Sequence, residues 1–228
     1  MTNMNNIFYD REDAAHQLLD ILPQDSMKNE KWNLIAVSPG GLVLANALRL
    51  RMRLSLDYLF SEGIYAPNNS DCEIARVSET EEIILHDALI DAFDIKVDYI
   101  YGEANRKHED KILSKVYQHR KGEHFISQEG CNVVLVDEGC EGGLKMMVAI
   151  KTILAMNPRA VYIVTPIIPS SVMEVIEPLV DEVYCLHEID DFVETQCYYE
   201  KFDSVCDEEI EYLLGENSGL QCKFTARK

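Results

Sequence analysis

The chain has 228 residues, 47% of them hydrophobic, and a formal net charge of −19. That much apolar side chain is enough for one globular core. So acidic a surface repels nucleic acid and anionic membranes, because binding to either rests on neutralising phosphate. A multiply charged phosphate ligand would need local cations or a metal ion to offset the same field. The longest apolar runs, such as "NVVLV" and "AVYIVTPII", are too short to span a bilayer. The start, "MTNMNNIFYDRED", lacks the basic-then-hydrophobic order of a secretory signal. The seven cysteines are scattered, with no CxxC pair, and read as reduced thiols of a cytoplasmic protein.

In chain order, Asp10 followed by Glu12 and Asp13 reads as a helix start, with acids at the positive end of the helix dipole. Ala14, Ala15, Leu18, Leu19 and Leu22 keep helical spacing, and Pro23 stops the run. "WNLIAV" reads as a buried strand opened by Trp32, ending at Ser38-Pro39-Gly40-Gly41, with "LVLANALRLRM" as the helix after it and "LSLDYLF" as the next strand. Residues 61–131 are less regular. Within them "EEIILHDALIDAF" suggests a strand passing into a helix, and "ANRKHEDKILSKVYQHRKGE" a polar helix whose Arg106, Lys107 and His108 form a solvated face. "CNVVLV" is a continuous apolar strand, buried on both sides. The helix after "EGG" carries Met146, Met147, Ile150, Ile153 and Leu154 and ends at Asn157-Pro158. "RAVYIVTPII" is a strand, Ser171 and Glu174 form a capping-box pattern for a short helix, and "DEVYCLH" is the last clear strand. A tail anchored by Phe192, Tyr198, Tyr199, Phe202 and Leu213 then wraps the core.

Strands alternating with helices define an α/β fold: a central, mostly parallel sheet with helices on both faces. Residues 1–214 read as a single domain, with a small irregular hood inserted at about 61–131, and 215–228 as a mobile tail. Ligands of such sheets bind at the carboxyl ends of strands. Two glycine-rich turns are expected there, Ser38–Gly41 and Gly139–Gly143.

The second turn lies in "VVLVDEGCEGGLK", Val133 to Lys145. Adjacent acids at a strand end, Asp137 and Glu138, accept hydrogen bonds from ribose hydroxyls, hold magnesium through water, or simply face solvent. The backbone N–H groups of Gly139, Cys140, Glu141, Gly142 and Gly143, opening a helix, form an anion cradle. Cys140 among three acids is a poor nucleophile. Cys185-x-His187 has no second pair at metal-ligand spacing. His86, His108, His119 and His124 have no nucleophile motif near them and read as surface or packing residues. Tyr65 and Tyr101, in the irregular segment, either stack on a base or pack on an exposed loop.

Strand, two acids, turn and helix together resemble the phosphoribosyl-pyrophosphate signature of the type I phosphoribosyltransferases. "FYDREDAAHQLLDIL", the Gly-Gly turn, "YAPNNSDCEIARVSE", "DEVYCL" and "YYEKFDSVCDEEIEYLL" extend the resemblance, to predicted bacterial members, over nearly the whole chain. It implies that Asp137 and Glu138 are the catalytic acids that hold the ribose. It implies magnesium as cofactor, a sugar-phosphate or nucleotide ligand, and a homodimer or protein partner. It also implies that Gly40 and Gly41 face the pyrophosphate.

The family's turn runs Asp-Asp-Gly, two variable residues, then Thr-Gly-x-Thr. Laid on this chain, its threonines fall on Gly142 and Lys145, its central glycine on Gly143, and Cys140 takes a place that is usually aliphatic. An arginine expected before the Gly-Gly pair is Pro39, and a basic residue expected before "AP" is replaced by Ser61 and Glu62. Glu141 adds a repelling charge if it points inward. Lys145 either meets a phosphate as a point charge or reaches solvent. With the hydroxyls and cations lost, the expectation is a non-catalytic or weakly binding regulatory or interaction protein. The alternative is an active magnesium-dependent phosphoribosyltransferase with a base-like acceptor.

Overall fold

The computed structural model describes residues 7–67 and 69–215. Helix α1 (Arg11–Leu19) starts where Asp10 predicts: its carboxylate accepts the Asp13 N–H at 2.9 Å. Pro23 precedes a short α2 (Gln24–Asn29). Strand β1 (Trp32–Ala36) leads through Ser38 into α3 (Pro39–Met52), and β2 (Ser55–Tyr58) follows. Strands β3 (Ser61–Ala66), β4 (Asn69–Ser78) and β5 (Ile83–Leu85) come next, then α4 (Asp87–Ala92), α5 (Val97–Lys107) and α6 (Leu113–Arg120). The second half runs β6 (Asn132–Val136), α7 (Leu144–Leu154), β7 (Ala160–Pro169), α8 (Ser170–Ile176), β8 (Glu182–Ile189) and α9 (Asp207–Gly215).

The central sheet has order β2-β1-β6-β7-β8, and every pairing in it is parallel. Its two faces follow from period-two alternation. Leu34, Ala36, Val134 and Val136 pack into one core with α1 and α3, while Ile35, Val133 and Leu135 pack into another with α7. All of β6 is buried, as its unbroken apolar run requires. After β1 the chain steps to β2 on one side; after β6 it steps to β7 on the other. The switch point therefore lies between β1 and β6, where open parallel sheets place their ligands. The two glycine turns leave these neighbouring strands side by side.

Three expectations need correction. The hood is not irregular: β3-β4-β5 form a separate antiparallel sheet, with register shifts around Tyr65. The polar helix is two helices joined by a π-helical turn, His108–Ile112, and His108 is drawn inward, its Nε2 lying 3.1 Å from the Glu79 carbonyl. The Ser171–Glu174 capping box does not form, because β7 runs on to Pro169 and the helix opens at Ser170. Ser171 is thus already inside the first turn, while the Ser170 hydroxyl donates to Asp190 at 2.7 Å.

The segment after β8 wraps back as its aromatic residues suggest. Tyr198, Tyr199 and Leu213 are buried, Phe192 and Phe202 pack against the same core, and the Tyr198 carbonyl oxygen accepts from Ile7 and Phe8. The tail from 216 onward lies outside the described residues.

Candidate functional site

Ser38 closes β1 and caps α3, its hydroxyl oxygen accepting the Gly41 N–H at 2.9 Å. The same hydroxyl donates to Asp137 at the end of β6. Asp137 is 2% exposed and also accepts the Glu138 N–H at 2.9 Å. The first acid thus cross-links the two turns.

Glu138 turns away from the cradle. Its carboxylate lies over Gly40, so closely that a Cβ built there would fall 1.8 Å from Oε2. Arg11, the first residue of α1, meets it from outside, with Nε donating to Oε2 at 2.5 Å. The guanidinium is held in turn by the Asp203 carbonyl at 2.8 Å and by the Phe202 ring, 4.3 Å from its centroid. Tyr199 donates to the Glu138 carbonyl at 2.9 Å. Burial pushes the Glu138 carboxyl above its ordinary range; Arg11 opposes that shift and Asp137 adds to it. Gly40 and Gly41 are both buried, and Glu138 covers the first of them.

The remaining cradle residues have separate jobs. Gly139 lies against the Thr195 side chain, whose Oγ1 would be 2.5 Å from a Cβ at this position. Cys140 packs in the second core, and burial holds its thiol well above the usual range, which disfavours the thiolate. Glu141 does not point at the turn's amides: its carboxylate accepts the Thr195 N–H at 2.5 Å and ties down the wrapping segment. Gly142 has open space where a side chain would go. Gly143, at φ +73°, makes the left-handed step that starts α7 without a side-chain cap. Lys145 follows in the first turn of that helix, near enough to Glu138 to oppose the upward push on its carboxyl.

A cavity of about 630 Å³ opens over this turn. Besides residues 137–146 it is lined by Glu73, Arg76 and His86 of the hood and by Glu194, Thr195, Gln196 and Phe202. Arg76 is ion-paired to Glu73 at 2.8 Å, and its Nη1 donates to Ser61 at 3.1 Å. His86 opens α4, its Nδ1 accepting the Leu89 N–H at 3.4 Å. Tyr65 and Tyr101 are exposed on β3 and α5 and do not line the cavity. Burial pushes the Cys185 thiol up to about 12, and the His187 ring packs on Phe8 with centroids 5.8 Å apart.

Arg11, Arg76 and Thr195 were absent from the sequence-based candidates. Arg11 sat in view inside "YDRED", masked by its acidic neighbours. Arg76 reaches Ser61, the very place where a basic residue was missed, from the facing strand, where it pairs with Gly63. Arg11 and Arg76 thus bring two cations to this end of the sheet, each already paired with an acid.

Magnesium prefers several oxygen ligands in octahedral geometry. Both signature acids are committed, Asp137 to Ser38 and Glu138 to Arg11. Among the described residues no three His, Cys, Asp or Glu side chains converge to hold a metal. The side chains as arranged do not fit a protein-held magnesium ion.

A parallel five-stranded sheet with a two-acid glycine turn at its switch point, roofed by a small antiparallel sheet, is the type I phosphoribosyltransferase-like α/β fold. Among solved structures, the chain is similar to TT1426 from Thermus thermophilus, at 25% identity, covering 92% of this chain and 98% of that one, with a TM-score of 0.74. Fainter likenesses are to a hypoxanthine phosphoribosyltransferase from Staphylococcus aureus (12% identity, 82% and 78% covered, TM-score 0.47) and to a hypothetical protein from Neisseria gonorrhoeae with bound ppGpp (13%, 92% and 96%, 0.45). No family model matches the chain. Among the described residues no helix is long and apolar enough to cross a membrane.

Proposed function

We propose that this protein takes a sugar phosphate or nucleotide weakly in the cavity over Gly139–Gly143 and acts as a regulatory or interaction protein, without catalysing phosphoribosyl transfer. The observation that carries this reading is the state of the signature. Its turn offers no hydroxyl to a phosphate, and both of its acids are engaged within the protein, by Ser38 and Arg11. A ribose diol would have to displace those partners before either carboxylate could hold it. The cavity wall adds Glu73 and Glu194, which oppose a polyanionic donor.

The second reading, an active magnesium-dependent phosphoribosyltransferase, is favoured by Arg11 and Arg76, which bring cations back to a site where charge on a leaving pyrophosphate would need them. In that reading magnesium arrives with the donor's diphosphate. The test is pyrophosphate release from phosphoribosyl pyrophosphate with magnesium and a panel of purine and pyrimidine bases. No release above the protein-free rate is expected; sustained turnover with any base would refute the non-catalytic reading. Location in the cytoplasm and assembly as a homodimer belong to the same proposal, and rest on the reduced thiols and on analogy of fold.

A further inference from the structure

We propose that β8, the outer strand of the central sheet, is a docking edge for an extended segment of a partner protein that carries lysine or arginine. The inference rests on the reading of the chain as an interaction protein and gives that reading a surface; it holds whether or not the cavity takes a ligand.

The sheet ends at β2 on one side and at β8 on the other. The β2 edge has four residues and packs against α9. β8 has eight, and among the described residues only β7 exchanges backbone hydrogen bonds with it. The N–H and C=O groups on its outer side form a template for a further strand. Proteins commonly blunt such an edge with proline or lysine, and "EVYCLHEI" has neither. Val183, Tyr184, Cys185 and Leu186, in its middle, are only half-buried.

Charge decides what fits this edge. Asp181 and Glu182 at one end and Glu188, Asp190 and Asp191 at the other are exposed, and residues 181–191 include no lysine or arginine. A second copy paired through a two-fold axis would set the 181–182 end against the 188–191 end, acid against acid, which is destabilising. A cationic segment is attracted by both ends. An aromatic row adds to this. The Trp32 and Tyr162 ring centroids are 4.6 Å apart and those of Tyr162 and Tyr184 6.2 Å, so the row runs outward across the sheet and finishes on β8. The Tyr184 hydroxyl donates to Glu182 Oε2 at 2.6 Å, which holds ring and carboxylate side by side. A guanidinium or ammonium on the next strand out meets both. Period-two alternation puts Glu182, Tyr184 and Leu186 on the α1 side of β8, and Val183 and Cys185 on the α7 side. The matching partner strand alternates too, with cations on the first side and apolar residues on the second. Backbone bonds supply its affinity and the alternate side chains its selectivity.

The probe is an end-capped octapeptide of alternating lysine and valine, titrated against the full chain by fluorescence anisotropy and followed by amide hydrogen exchange. Salt at about 0.15 M screens attraction beyond about 8 Å. Saturable binding is expected, with exchange slowed in residues 182–189. The variant Glu182→Gln/Glu188→Gln, altered at two exposed positions, should bind about tenfold more weakly, because an opposite-charge pair is lost at each end. The same peptide with every backbone nitrogen methylated keeps its charges but cannot donate to a strand edge, and should not bind. No binding of the first peptide, equal binding of the methylated one, or slowed exchange only outside β8 overturns the proposal. So does a free chain that is already dimeric with β8 protected, which gives the edge to a second copy. None of these outcomes bears on pyrophosphate release, which tests the non-catalytic reading alone.

Discussion

Gly41→Ala is expected to destabilise the protein by about 1–3 kcal/mol or more, the usual cost of overpacking a dense core. A Cβ at this position would lie 2.6 Å from the Val136 carbonyl oxygen, 2.9 Å from Ser38 Oγ and 3.1 Å from Asp137 Cα. Two of those neighbours are backbone of β6 and the loop it leads into, so no side chain can rotate away. The helix must lift off the sheet, which also pulls Ser38 from Asp137. Alanine's better helix propensity returns only about 0.5–1 kcal/mol. Gly142→Ala is the control: its Cβ would meet nothing within 4 Å, and a change within about 0.5 kcal/mol is expected. Urea denaturation of the two variants checks the difference. Equal midpoints would show that the two turns are not packed as described.

Arg11→Ala carries the second large effect. Removing one partner of a buried pair leaves the other charge uncompensated, at a cost of about 3–5 kcal/mol. Here the side chains are 11% and 15% exposed, so some water reaches the pair and the lower end of that range applies. The loss should depend on pH, and its sign follows from linkage. Burial raises the folded Glu138 pKa above its ordinary value of 4.5, and without Arg11 nothing of comparable size opposes the shift. A group that binds its proton more tightly when folded stabilises most below its unfolded pKa, and that contribution is lost as pH rises through the folded value. The deficit of Arg11→Ala relative to the parent should therefore shrink as pH falls and Glu138 becomes neutral. A deficit independent of pH would mean that Arg11 matters only through its packing on Phe202.

Local pattern carried most of the sheet. The unbroken apolar run of β6, the buried strand opened by Trp32 and the helix start at Asp10 depend on neighbours a few residues away, and each forms as the sequence suggests. The hood was harder to read because β4 starts exposed and polar at Asn69 and becomes buried only toward Ser78, so its alternation is half hidden. The Ser171 pattern misled because a capping box fixes a helix start only when the chain turns there; β7 turns at Pro169.

The cations of the site were illegible for a different reason. Arg11 and Glu138 are 127 residues apart, and Arg76 finds Ser61 through an antiparallel register with shifts in it. A motif aligned residue by residue records what has left its own positions and cannot show what other segments bring in. Glu141 teaches the converse: an acid in a phosphate turn looks repulsive in sequence, yet here it accepts a backbone N–H from Thr195.

The central claim is that the turn lacks its phosphate hydroxyls, and calorimetry of phosphoribosyl pyrophosphate with magnesium, comparing the parent with Gly142→Thr/Lys145→Thr, tests it most directly. Gly142 has room for a side chain, and Glu141 is left in place to hold Thr195. Each restored hydroxyl bond to a charged phosphate is worth about 1.5–3 kcal/mol, which amounts to tenfold or more at about 1.4 kcal/mol per tenfold. The expected result is no saturation by the parent in the micromolar range and measurable binding by the double variant. Micromolar binding by the parent that the double substitution abolishes would contradict it, and would make Lys145 the phosphate ligand.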